Sequence, residues 1–233
     1  MSLPFPWDEF DAYLFDIDGT LIHCSDNVHY FAFCDALSSV AGRDLNLDGV
    51  TAHGNTDFGI LRDAFSRAGV GEVLWRPHVA ALGDRMCAYV EQHSEEICAN
   101  VLPSVREVLL HLRNRGAVLS VATGNLERIG KQKLAAAGLL DLFDMGAWSD
   151  RWERRSDVFC HGIEQVRRAL STEVSILAVG DTPADILAAQ ENGIPVIAVA
   201  TGIYSMDELA AANPSLCISS ITELLSMPSA DPL

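Results

Sequence analysis

The sequence predicts an α/β protein: a parallel sheet with helices on both faces, and an α-helical cap inserted after the first strand. Three observations predict it. Short apolar runs end abruptly in polar, glycine-bearing loops, as strands covered on both faces do. Helical patterns stopped by glycine alternate with those runs, which is the rhythm of parallel strands joined by crossover helices. Finally, about 80 residues lie between Thr20 and Pro103, where a strand-to-helix connection usually takes ~2–6.

The first strand is Ala12 to Phe15, a continuous apolar run that opens into Asp16-Ile17-Asp18-Gly19-Thr20. The long segment after it reads as helices over Asn27 to Ala41, Thr56 to Ala68 (closed by Gly69) and Val79 to about Cys98, with little alternation of strand period. Beyond it, Ser104 to Arg115 is a helix stopped by Gly116, and Val118 to Ala122 is a strand ending in Thr123-Gly124-Asn125. A helix follows from Leu126 to Ala137, stopped by Gly138. Ser175 to Val179 is a strand ending in Gly180-Asp181-Thr182-Pro183, Ala184 to Asn192 a helix stopped by Gly193, and Val196 to Ala200 a strand ending in Thr201-Gly202. The expected division is a core of residues 1–20 and 101–233 and a helical cap of residues 21–100, with a loose tail at 227–233.

With 49% hydrophobic and 21% charged residues among 233, the composition is that of an ordinary globular protein. Asp and Glu number 32 against 16 Lys and Arg, and the net charge of -16 sets a nucleic-acid partner aside, because a phosphate backbone would be repelled. Six cysteines with no Cys-x-x-Cys spacing read as reduced, packed thiols and point to a cytoplasmic compartment. No apolar run nears the ~20 residues that span a bilayer, and Asp8, Glu9 and Asp11 interrupt the stretch where a signal peptide would be apolar, so no membrane partner is expected. Monomer and homodimer both fit the sequence.

In open α/β sheets, ligands bind beyond the carboxyl ends of the strands, and those ends here carry Asp16, Asp18, Thr123, Asp181 and Asp185. Four carboxylates at one edge repel one another unless a cation holds them. An all-oxygen donor set suits Mg²⁺ completed by waters and a substrate phosphate.

Asp16-Ile17-Asp18-Gly19-Thr20, Ser120-Val121-Ala122-Thr123-Gly124-Asn125 and Gly180-Asp181-Thr182-Pro183-Ala184-Asp185, in that order, strongly resemble the motifs of the haloacid dehalogenase superfamily. The resemblance is to its phosphatase branch with a helical cap after the first motif, and it covers essentially the whole chain. It implies a Rossmann-like core and a Mg²⁺-dependent phosphatase of a small phosphorylated metabolite, phosphoglycolate-like or a sugar phosphate. Asp16 would be the nucleophile that becomes an aspartyl phosphate. Asp18 would be the general acid and base, holding its proton more readily beside an ionised Asp16. Asp16, the Asp18 carbonyl and Asp181 would ligate the metal, with Asp185, Gly19 and Thr20 in support, and Gly19 would let the backbone approach the phosphate. Thr123 would donate its hydroxyl to the phosphate, aided by free N–H groups of Gly124 and Asn125 where the next helix begins.

The chain departs from the family at the third motif, where a lysine usually neutralises the phosphate. Its two lysines, Lys131 and Lys133, lie well down the helix after Thr123; at 1.5 Å per residue Lys131 starts roughly 9–12 Å from the first turn. Neither reads as a substitute. The stretch Arg151-Trp152-Glu153-Arg154-Arg155 offers arginines instead, with Arg155 preferred and Arg154 second, since a guanidinium supplies the same charge through a planar fork. The absence of any lysine before Lys131 excludes a phosphonate-cleaving relative that needs a cap lysine, and Asp18 argues against a dehalogenase. A phosphosugar mutase and a non-catalytic phosphometabolite sensor are the alternatives. The histidines read as surface or structural. His53-Gly54-Asn55-Thr56-Asp57 resembles a substrate-facing cap loop, although Asn55 or Thr56 could simply cap the next helix.

Overall fold

The computed structural model describes residues 5–227, so the tail expected at 227–233 lies outside the described residues except for Met227. The strands in chain order are β1 (Ala12–Phe15), β2 (Ile22–Cys24), β3 (Ala99–Val101), β4 (Val118–Ala122), β5 (Met145–Ala147), β6 (Ile176–Gly180), β7 (Val196–Val199) and β8 (Leu216–Ile218). The helices are α1 (Val28–Ala41), α2 (Asp57–Arg67), α3 (Glu72–Trp75), α4 (Val79–Gln92), α5 (Val105–Asn114), α6 (Glu127–Ala136), α7 (Arg155–Ala169), α8 (Pro183–Glu191) and α9 (Met206–Ala211). Six strands form one sheet in the order β5-β4-β1-β6-β7-β8, with every neighbouring pair parallel.

Side chains alternate across a strand, and here both faces are buried, so the apolar runs are continuous. Tyr13 and Phe15 of β1 join Leu119, Val121, Leu177 and Val179 in a cluster covered by Val105, Val108, Leu109 and Leu112 of α5. Ala12 and Leu14 point the other way, into a cluster with Phe159, Ile163 and Val166 of α7 and Ile186 and Ala189 of α8. The register aligns Phe15 with both Val121 and Val179. Three strands therefore end level, and the loops that leave them open at one edge of the sheet.

The segment between Thr20 and Pro103 builds its own apolar cluster from Phe33, Leu37, Leu61, Phe65, Trp75, Leu82 and Met86, and continues into Leu126 and Ile129 at the start of α6. It contains two short strands that an all-helical reading leaves out: β2 and β3 pair antiparallel, with Ile22 opposite Val101 and Cys24 opposite Ala99. The third cap helix also ends earlier than expected. His93 stacks on Tyr89 at 4.2 Å, its Nδ1 lies 2.8 Å from the Tyr89 carbonyl, and a single 3₁₀ turn over Ser94–Glu96 leads into β3. Among the described residues no helix is long and apolar enough to cross a membrane. All six cysteines are free.

Candidate active site

The level strand ends bring Asp16, Thr123 and Asp181 to one edge, all three buried. Asp185 joins them from the first turn of α8. Thr182 caps that helix with its hydroxyl oxygen on the Asp185 N–H, while the Asp185 carboxylate accepts the Thr182 N–H and hydroxyl in return. Carboxylate oxygens of Asp16, Asp181 and Asp185 all lie within 4.8 Å of one another. Gly19 adopts φ +83°, a left-handed conformation, and a methyl group at Gly19 or at Gly202 would collide with the Asp181 carboxylate. Thr20 donates its hydroxyl to Asp181 Oδ1 at 3.0 Å.

Arg155, at the first position of α7, is buried and serves two carboxylates. Its Nη2 lies 2.7 Å from Asp16 Oδ1 and 2.7 Å from Asp185 Oδ1, and its Nε donates to Asp185 at 3.0 Å. Arg154 instead faces solvent and meets Glu191 at 3.2 Å.

The exclusion of Lys133 is overturned. Its Nζ donates to Asp18 Oδ2 at 2.7 Å and to Asn125 Oδ1 at 2.9 Å, and its side chain is only 7% exposed. Distance along the helix axis neglects the side chain: Cα–Cβ bonds tilt toward the helix N-terminus, so a long lysine stem runs back about a turn toward the strand ends. Lys131 points to solvent and pairs with Glu127. The signal was present in the sequence, because Lys133 follows Leu126 and Ile129 at helical spacing and so sits on the buried stripe of α6.

Of the two N–H groups expected to face the phosphate, that of Asn125 turns to Thr123 Oγ1 at 3.3 Å; just beyond it, Leu126 N–H donates to Asp57 Oδ2 at 2.8 Å and Glu127 N–H to Asp150 at 2.9 Å. The Asn125 side chain contributes in another way, its Nδ2 donating at 2.8 Å to both Asp18 Oδ2 and Thr123 Oγ1. Burial pushes Asp16 above the usual carboxylate range, with Arg155 opposing and Asp185 and Asp18 adding to the rise. Burial acts on Asp18 too, but Lys133 and Asn125 outweigh it and hold that carboxyl at about 2. Asp181 is raised by burial and by the neighbouring charges of Asp16 and Asp185.

Over this edge lies a cavity of about 250 Å³ lined on the core side by Asp16, Asp18, Thr123, Asn125, Lys133 and Arg155. The loop before α2 closes it from the cap and touches the core closely. Asp57 N–H donates to the Gly124 carbonyl at 2.8 Å, and Thr56 donates its hydroxyl to the Glu153 carbonyl at 2.9 Å while capping α2 through the Gly59 N–H. A side chain at Gly124 would run into the Asn55 carbonyl. Helix capping and a cavity-facing loop thus coexist in 53–57. His29, expected to be surface or structural, lines the cavity 3.4 Å from Asp57 Oδ2. His111 is structural, stacked on Trp7 and paired with Asp8.

The profile of the haloacid dehalogenase-like hydrolases matches residues 10–193, and a second, related hydrolase profile matches 163–224. The chain belongs to the haloacid dehalogenase-like hydrolases, and within them it is a phosphatase-type enzyme. It is 29% identical to the "Probable phosphatase IndB" of Dickeya dadantii over 91% of this chain and 90% of that one. It is 28% identical to a phosphoglycolate phosphatase of Cereibacter sphaeroides over 78% and 81%. Among solved structures, a hydrolase from Pseudomonas syringae superposes with TM-score 0.67 at 18% identity, covering 93% of this chain and 96% of that one. CbbY from Rhodobacter sphaeroides in complex with phosphate does so with TM-score 0.65 at 19% identity over the same shares. These two likenesses establish the fold.

Proposed function

We propose that the chain is a Mg²⁺-dependent phosphomonoester hydrolase of a small organic phosphate, working through an aspartyl phosphate on Asp16. The observation that carries it is Asp16 at the end of the central strand, within reach of Asp181 and bound by Arg155, beneath a cavity whose floor also presents Asp18 and Thr123. The donor set fits Mg²⁺. Both oxygens of Asp185 are engaged, by Arg155 and by the N–H and hydroxyl of Thr182, whereas Asp16 and Asp181 each have one oxygen held, so these two are the ligating carboxylates, and a hard cation of this size takes one or two carboxylates plus waters and phosphate oxygens. When bound, Mg²⁺ supplies positive charge against the carboxylates and the substrate phosphate.

The Asp16 carboxylate attacks phosphorus as the ester P–O bond breaks, and Asp18 gives a proton to the leaving oxygen. Asp18 then takes a proton from water, whose oxygen attacks the phosphorus of the aspartyl phosphate, releasing inorganic phosphate and restoring both carboxyls. Lys133 and Asn125 orient Asp18. An arriving phosphate shares Lys133 and adds negative charge nearby, which raises Asp18 from its low resting value so that it can hold the proton. Thr123 donates to a phosphate oxygen, and Arg155 neutralises charge on the phosphoryl group as it transfers.

Arg155 and Lys133, both beside the aspartates, support turnover over the sensor alternative. Steady-state hydrolysis of a panel of small phosphomonoesters, with and without Mg²⁺, for wild type and Asp16→Asn tests the proposal. Magnesium-dependent turnover lost in Asp16→Asn is expected, and turnover that survives the substitution refutes it. Release of inorganic phosphate without an isomerised sugar phosphate separates it from a mutase.

A further inference from the structure

Taking the chain as the hydrolase proposed above, we propose that its cap selects phosphomonoesters whose organic part is uncharged, with no second anionic group. The cavity, at about 250 Å³, is below the ~300–1,000 Å³ usual for drug-sized ligands, so a small substrate touches the cap wall directly. That wall carries the apolar side chains of Tyr30, Phe33, Leu47 and Ile60 beside His29, His53 and Asn55, and its one carboxylate is Asp57. The segment 21–100 contains no lysine and five arginines, and none of the five lines the cavity.

Each of those arginines is engaged elsewhere. Arg43 donates to the Ala68 carbonyl and Arg67 to the Asp48 carbonyl, both at 2.8 Å. Arg85 pairs with Asp35, and Arg62 and Arg76 converge on Glu153. The two permanent cations that line the cavity, Lys133 and Arg155, belong to its phosphate end and are paired with Asp18, Asp16 and Asp185. A carboxylate or second phosphate on the substrate would leave water for apolar side chains and the Asp57 carboxylate with no permanent counter-charge, His29 being held 3.4 Å from Asp57, which is strongly unfavourable once the imidazoles are neutral.

The test is a matched two-carbon pair: 2-hydroxyethyl phosphate and 2-phosphoglycolate, assayed at pH 8.5, where imidazoles are ordinarily neutral. The neutral ester is expected to show a kcat/KM about 100-fold higher, the scale set by an unpaired buried carboxylate. The same order is expected for binding of the two esters to Asp16→Asn, which ranks them without turnover. Leu47→Arg places a cation in the wall and should narrow the kcat/KM ratio by about tenfold or more. Binding of 2-phosphoglycolate by Asp16→Asn as tight as that of the neutral ester overturns the selectivity, whether or not the wild type turns either over. Absence of turnover on both esters and on p-nitrophenyl phosphate refutes the hydrolase reading instead, and the binding ratio still decides the selectivity.

Discussion

Replacing Lys133 by methionine keeps the length of the stem and removes the charge that sits 2.7 Å from Asp18 Oδ2 and 2.9 Å from Asn125 Oδ1. Breaking a buried ion pair by deleting one partner costs ~3–5 kcal/mol. The Asp18 side chain keeps 40% of its surface open, so water can take over part of the lost contact and the loss should be about 1–3 kcal/mol. In a chain of this size that lowers Tm by roughly 3–10 °C. The activity should fall further than stability explains, by about 10²–10³ in kcat, because in the proposed mechanism the same cation also meets the phosphate. A pH series separates the roles. In the wild type Asp18 is held at about 2, below its unfolded value, so its stabilising contribution is complete above the ordinary aspartate value of 3.8 and lost as pH falls through about 2. Without Lys133 the burial effect is less opposed, the Asp18 carboxyl rises, and this acid limb should flatten in urea unfolding followed from pH 2 to 7. A variant with kcat within twofold of wild type and an unchanged acid limb would refute the reasoning.

Arg155→Ala should cost about 10²–10³ in kcat, whereas Arg154→Ala, which removes only an exposed pair with Glu191, should stay within about twofold. Arg155→Lys should restore the rate only in part, since an ammonium can stand for Nη2 between Asp16 and Asp185 but cannot also supply the Nε–H bond to Asp185. In metal-free protein, Asp16 and Asp181 are raised by burial, so each contributes stability that is complete below 3.8 and declines as pH rises toward neutrality; thermal unfolding should show this decline, and Mg²⁺ should remove it by stabilising the ionised forms. Gly124→Ala should displace the cap loop at Asn55 and lower kcat/KM by about 10²-fold with little change in Tm.

Much of this was legible in the sequence because runs such as Ala12–Phe15 and Val118–Ala122 are apolar on both faces and stop where the chemistry starts. The edge strands Met145–Ala147 and Leu216–Ile218 were not, since three residues carry too little pattern to separate from loop. Arg155 could be favoured from its place at a helix start. Lys133 could not be found by counting residues along an axis, because its function depends on where a flexible stem leads; only its position on an apolar stripe betrayed it. The engagement of the α6 N–H groups by Asp57 and Asp150 is a tertiary fact, made by residues 69 and 23 positions away.

The pairing of β2 with β3 ties together the two points where the chain leaves and rejoins the sheet. Topologically the residues between them are one large surface loop whose ends already meet, so changing its length adds little closure entropy to folding. Such a segment can be exchanged, enlarged or trimmed while Asp16, Asp18 and Asp181 keep their places. On the proposed mechanism, what the enzyme accepts and how it cuts are therefore free to change separately, and a graft of a foreign 25–98 segment onto this ribbon is the natural way to give the same carboxylates a different substrate.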